Sequence, residues 1–246
     1  MWRWLSLSAL LIVASASTAG GDPQSVQPAA LLLWNTCQNQ GENYSQHFVA
    51  PGIYRQVLVG SGLSTPFIGL QVEFDIVPMP LTCYIPAPVP DAWRFDEAGC
   101  QRGRLQISPA TQTSGCPGLT VSNRVDLAWV NPGPTLMGVD GLRVVAASSF
   151  ESFRPNPVNT YALLEVSYDH RHSVSGPSIP PDSCGGADAP LCYVVSRVAL
   201  FTASGSVLGL PVNNPCITWQ HEPDCWCGFC DPALSTTWGK LKALYR

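Results

Sequence analysis

FIGLQVEFDIV, residues 67–77, alternates more regularly than any other stretch of the chain. Ile68, Leu70, Val72, Phe74 and Ile76 fall on one side, and Gly69, Gln71, Glu73 and Asp75 on the other. Successive side chains of a strand point to opposite faces of its sheet, so a period of two marks a strand with one buried face. One face meets a core and the other meets water, as in an antiparallel sheet. The pattern predicts a buried apolar row and places Gln71, Glu73 and Asp75 in solvent.

Similar runs lie on either side. ALLLW at 30–34 and IYRQVLV at 53–59 precede the central stretch, and the turn residues at 60–62 and 64–66 lead into it. After it come five prolines between 78 and 90, in a segment that crosses between sheets or follows an edge, because proline has no N–H for a ladder. Trp93, Arg94 and Phe95 are placed to anchor that segment to the core. RVDLAW at 124–129 alternates cleanly, which predicts Val125, Leu127 and Trp129 inward. Further strands are expected at 105–107, 142–147, 161–168, 193–202, 207–210 and 217–219. Thr236 or Thr237 can cap a closing helix whose Trp238, Leu241 and Tyr245 share a face. The expected fold is all-β: an antiparallel β-sandwich of about 8–10 strands, disulfide-bonded, with a short C-terminal helix.

The chain has 246 residues, and its first stretch reads as a targeting segment. Arg3 precedes the apolar run LSLSALLIV at 5–13, and small residues follow at 14–19, the pattern of a secretory signal peptide. The layout is then a signal peptide at 1–19, a flexible lead-in at 20–29, a β-sandwich domain at 30–220, and a Cys-rich segment with its helix at 221–246. No later run reaches the roughly 18 apolar residues of a spanning helix, so no membrane span is expected after cleavage. The expected location is secreted, either extracellular or periplasmic.

Ten cysteines fit an oxidising compartment and are disulfide candidates: Cys37, Cys83, Cys100, Cys116, Cys184, Cys192, Cys216, Cys225, Cys227 and Cys230. Loop logic favours local pairs, with Cys184–Cys192 closing one loop and Cys100 and Cys116 bracketing another. Charge is sparse, 13 Lys and Arg against 17 Asp and Glu, with no basic cluster to neutralise phosphates. Nucleic-acid binding and polybasic membrane binding are therefore set aside.

WCGFC at 226–230 resembles the WCGPC redox site of thioredoxins, but Phe229 replaces the proline and only sixteen residues follow Cys230. Cys216, His221, Cys225, Cys227 and Cys230 could instead hold zinc, although their spacing matches no standard pair of knuckles. The stapling reading makes the cluster structural, binding the C-terminal segment to the sandwich. His170 and His172, beside Asp169 at a strand end, would project from one face and form a second metal or base candidate. Glu73, Asp75 and Glu165 read as ordinary solvent-facing charges. Asn43-Tyr44-Ser45 is a glycosylation sequon. No nucleophile elbow, HExxH, phosphate loop or EF-hand loop is present. No cofactor is expected.

GLQVEFD at 69–75 and LLEVSYD at 163–169 are outward-acidic strands ending in Asp within an Ala/Val/Gly-rich, strand-only chain. This texture, over about residues 50–210, resembles cohesin-type and related bacterial secreted β-sandwiches. That resemblance implies a nine-stranded sandwich and a role in docking or surface display. The ten cysteines depart from typical cohesins. Residues 90–100 and TTWGKLKALYR at 236–246 also resemble uncharacterised exported bacterial proteins. Together these features lead to the expectation of an exported non-catalytic structural or binding module, with an unknown protein or glycan ligand. The alternative is a secreted hydrolase or a redox or metal-binding protein that uses the C-terminal cysteines or the His170/His172 pair.

Overall fold

The structure is a computed structural model and describes residues 27–37, 44–79, 88–108, 117–135, 140–214 and 216–221. The stretches expected to form a signal peptide and a C-terminal helix, the sequon asparagine and Cys83, Cys116, Cys225, Cys227 and Cys230 lie outside the described residues.

Fourteen strands are found among the described residues. They are β1 (Ala29–Trp34), β2 (Ser45–Gln46), β3 (Ile53–Ser61), β4 (Phe67–Pro78), β5 (Leu105–Ser108), β6 (Val125–Pro134) and β7 (Asp140–Phe153). The rest are β8 (Thr160–Asp169), β9 (Ser173–Val174), β10 (Cys184–Gly185), β11 (Leu191–Phe201), β12 (Val207–Gly209), β13 (Val212–Asn214) and β14 (Cys216–Trp219). One sheet runs β13-β1-β3-β8-β5. The other runs β2-β14-β11-β4-β7-β6, with β12 added along β11. Strands β9 and β10 form a small separate pair. The chain folds as a β-sandwich, and each large sheet gives one face to a shared core.

The expected antiparallel pairing holds for the long strands, but the margins are mixed. β13 runs parallel to β1, β2 to β14 and β10 to β9. These short strands arrive by crossovers rather than by hairpins, and that connection is what parallel neighbours need.

β4 lies at the centre of its sheet, paired with β7 on one side and β11 on the other. Leu70, Val72, Phe74 and Ile76 are fully buried, as the alternation requires. Ile68 is only half-buried, because the register with β7 shifts between Phe67 and Gly69 and turns Phe67 inward against Phe150 and Phe153.

The outward row of β4 differs from expectation at Asp75, which has no exposure. It lies opposite Arg143 of β7, and the guanidinium donates to both carboxylate oxygens, at 2.9 and 3.2 Å. Glu165 is likewise buried, with Arg55 at 3.2 Å. Paired guanidinium groups explain how both carboxylates tolerate leaving water, and neither is a free solvent charge.

Val125, Leu127 and Trp129 also depart from the expected orientation. They are 55, 51 and 48% exposed. In register they face Ser149, Ala147 and Val145, which form the outward row of β7. The inward row of β7, with Leu142, Val144 and Ala146, is already committed to the core. On the other row of β6, Val130 packs against the core and Ala128 stays exposed, while Asp126 turns inward. Asp126 is held there by Arg124 at 2.7 Å and by the Ser148 hydroxyl.

Cys184 bonds to Cys100, with Cα atoms 5.8 Å apart. This excludes the expected Cys184–Cys192 bridge and any Cys100–Cys116 pair. The local-loop argument failed because residues 91–103 fold back over β10 and bring a distant cysteine within reach. Cys192 is buried in β11. Cys37 and Cys216 are also disulfide-bonded.

Candidate functional site

Four neighbouring strands of the larger sheet present their outward side chains in register. One rung reads Trp129, Val145, Glu73 and Arg197 across β6, β7, β4 and β11. The next reads Leu127, Ala147, Gln71 and Ala199, and the third Val125, Ser149, Gly69 and Phe201. Small residues at Gly69, Ala147 and Ser149 leave a trough of about 300 Å³ between the β6 apolar row and Phe201. A Cβ at Gly69 would lie 2.9 Å from the Ser148 carbonyl oxygen, so any side chain there would crowd the floor. The charges on this face are mutually satisfied. Arg197 pairs with Glu73 at 3.4 Å, and Gln71 donates to Glu73 at 2.7 Å. The resulting surface has an exposed apolar strand at one margin, a shallow trough beside it and little unpaired charge. Large outward apolar side chains grouped on one face are the mark of a binding surface.

The histidine candidates occupy different environments. His172 is exposed in the turn after β8, whereas His170 is fully buried. The expected shared face does not exist, because the strand ends at Asp169 and the backbone turns. His170 sits in an aromatic box, with ring centroids 4.2 Å from Trp93, 5.6 Å from Phe95, 5.7 Å from Trp219 and 5.8 Å from Tyr54. Its Nδ1 lies 2.8 Å from the Ser173 hydroxyl, which also receives a bond from Gln101. Burial lowers its pKa to about 3, with Asp169 opposing weakly. The imidazole is therefore neutral at physiological pH. A serine hydroxyl beside an imidazole has the elements of a nucleophilic pair, but Ser173 has no exposure either. Both side chains are fully buried, and the pair packs within the sandwich end.

The loop closing that box is held from several directions. Trp93 and Phe95 are buried, as their anchoring role requires. Arg94 pairs with Asp96 at 2.9 Å, which raises the arginine pKa through the hydrogen bond and the charge of that carboxylate. Gly99 passes so close to Arg94 that a Cβ would lie 2.1 Å from its carbonyl oxygen. The Cys100–Cys184 bond then fixes the loop to β10.

Among the described residues no three His, Cys, Asp or Glu side chains gather as metal ligands would. Cys216, one of the zinc candidates, is in a disulfide and is not available as a thiolate. Cys225, Cys227 and Cys230 lie outside the described residues. No described helix is long and apolar enough to cross a membrane.

The β6 surface was missed from sequence, although a signal for it exists. Pro132 and Pro134 fall inside the strand, and proline is confined to edge strands, where its missing N–H costs nothing. An edge strand can turn an apolar row outward.

No protein-family model and no curated protein matches this sequence. Solved structures do match. A type II cohesin domain from the cellulosome of Acetivibrio cellulolyticus is 9% identical, covering 79% of this chain and 95% of its own, with a TM-score of 0.35. A second type II cohesin module, from a scaffoldin of the same organism, is 11% identical, covering 78% and 96%, with a TM-score of 0.36. A non-cellulosomal cohesin from Archaeoglobus fulgidus is 6% identical, covering 78% and 89%, with a TM-score of 0.34. The chain thus bears a weak cohesin-like resemblance, in keeping with the one read from GLQVEFD and LLEVSYD.

Proposed function

We propose that the protein is an exported, non-catalytic docking module that holds a partner protein against the outer face of the larger sheet. The supporting observation is the exposed row Val125, Leu127 and Trp129 beside the trough floored by Gly69 and Ala147. A rigid, hydrogen-bonded sheet presents these side chains with little ordering left to do on binding, which favours affinity. Outward aromatic and aliphatic groups around a depression are the usual anchors of an interface. The occupant is a protein segment with a matching apolar ridge, because the Glu73–Arg197 pair leaves little net charge for an ionic ligand to recognise.

Export by a signal peptide at 1–19 is part of this reading, and the Cys100–Cys184 bond fits an oxidising destination. The Cys-rich segment at 221–246 serves as a covalently stapled appendage of the sandwich at 30–220.

The test begins with a partner isolated from the native extracellular fluid and identified, followed by titration against the purified chain. Trp129→Ser combined with Leu127→Asp should weaken binding by about thirtyfold or more, the loss expected when an interface anchor is removed. Unchanged affinity for the double variant, with its fold intact, overturns the assignment of this face.

A further inference from the structure

The opposite outer face of the sandwich carries a polar cleft built with equal regularity. β3, β8 and β5 are adjacent, and their outward rows meet in register: Arg55, Ser167 and Gln106 form one rung. Glu165 and Ser108 form the rung on one side. On the other side Asp169 lies beside Arg104, whose carbonyl accepts the Asp169 N–H at 3.0 Å. Arg171 closes the end, and the cleft encloses about 230 Å³.

The charges do not cancel. Arg55 is engaged by Glu165 at 3.2 Å, and Arg171 by Asp169 at 2.6 Å. Asp169 stays ionised, its pKa held down to about 2 chiefly by the Arg171 hydrogen bond. The guanidinium of Arg104 has no hydrogen-bond or ion-pair partner among the described residues, yet it lines the cleft. One planar, forked cation is therefore left over, in a pocket otherwise lined by hydroxyl, amide and carboxylate groups, the paired Arg55 and Arg171, and Ile53.

We propose that this cleft binds a single carboxylated sugar residue. A carboxylate fits the Arg104 fork in bidentate fashion. The sugar's hydroxyl groups can donate to the unfilled lone pairs of Glu165 and Asp169 and exchange hydrogen bonds with Gln106, Ser108 and Ser167. Those two carboxylates also select against an acidic peptide, whose successive charges they would repel, while they favour a ligand with one charge and several hydroxyls. The volume is smaller than the range usual for drug-sized ligands, in keeping with one sugar ring. The site is on the other sheet from the docking face and stands independently of it.

The test is a titration of the purified, oxidised full chain followed by amide NMR, using glucuronic acid, N-acetylneuraminic acid, glucose and hexa-aspartate as separate probes. Glucuronic acid or N-acetylneuraminic acid should shift amides of β5 and β8, and whichever binds tighter identifies the class of acidic sugar. Glucose should leave those amides unmoved. Arg104→Met should weaken the binding by about tenfold or more, and Arg104→Lys should restore only part of it, because the ammonium keeps the charge and loses the fork. Both variants should stay folded with a melting temperature close to wild type, since Arg104 makes no hydrogen bond or ion pair among the described residues and gives up only a solvent-screened attraction to Asp169. Three outcomes overturn the proposal: neither acidic sugar binds, Arg104→Met binds as wild type does, or hexa-aspartate binds more tightly than either sugar.

Discussion

β4 and β6 stand two places apart in one sheet, separated only by β7, and each carries a row of large apolar residues at every second position. In β4 the apolar row fills the core and Asp75 on the other row is locked against Arg143. In β6 the apolar row stands in solvent and Asp126 on the other row turns inward to Arg124 and Ser148. The difference lies in their neighbours. β4 has a long strand on each side, so both faces are shaped by cross-strand partners. Among the described residues β6 has only β7 along its length, and its register with β7 decides which row goes where. An alternating strand defines two rows, and the sheet assigns them.

The sharpest way to break this comparison is to cut the largest side chain in each apolar row. Phe74→Ala should lower the unfolding free energy by about 3–5 kcal/mol, as for other buried aromatics. Trp129→Ser should change it by no more than about 0.5 kcal/mol, as at ordinary surface positions. Chemical denaturation of both variants checks the pair. Equal losses would mean that the two rows are energetically alike and that the β6 surface is part of the core.

The interior also differs from the outward row in its response to acid. His170 has a folded pKa of about 3, below the ordinary value near 6.5 found in an unfolded chain. Between those values the unfolded chain binds the proton and the folded one does not. The contribution is therefore fully present above pH 6.5 and is lost progressively as pH falls toward 3. By pH 4 the loss should be roughly 3 kcal/mol. His170→Phe should flatten that part of the stability profile, measured against wild type from pH 7 to 4, while Trp129→Ser should leave its slope unchanged.

A smaller contrast separates the charged pairs of β4. Arg143→Ala withdraws the guanidinium from the fully buried Asp75 carboxylate and should cost about 2 kcal/mol, less than for a wholly buried pair because Arg143 is one-third exposed. Arg197→Ala removes an exposed partner from Glu73 and should cost no more than about 0.5 kcal/mol. Thermal melts of the two variants rank them.

The sandwich was legible in the sequence because strand existence depends on local alternation and turn residues. The runs at 30–34, 53–59, 67–77, 161–168 and 193–202 all became strands, and Trp93 and Phe95 took their anchoring places. What could not be read was set by residues far away in the chain. Asp75 looked solvated until Arg143 appeared opposite it. Asp169-His170-Arg171-His172 looked like a polar strand end, yet Trp93 and Trp219 close over its first histidine. Cys184 looked paired to its near neighbour, while the loop carrying Cys100 folded across to reach it. The candidate docking face was hidden for the same reason, since only the register with β7 turns Val125, Leu127 and Trp129 outward.

The pairing of β4 with β11 has a consequence for how the molecule comes into being. The two central strands are joined only after β5 through β10 have been made, so β4 waits unpaired on one edge for much of synthesis. Contacts so distant along the chain make folding slow, because loop-closure entropy is spent before the pairing rewards it. A nascent chain truncated before β11 should therefore stay expanded and prone to aggregate through FIGLQVEFDIV.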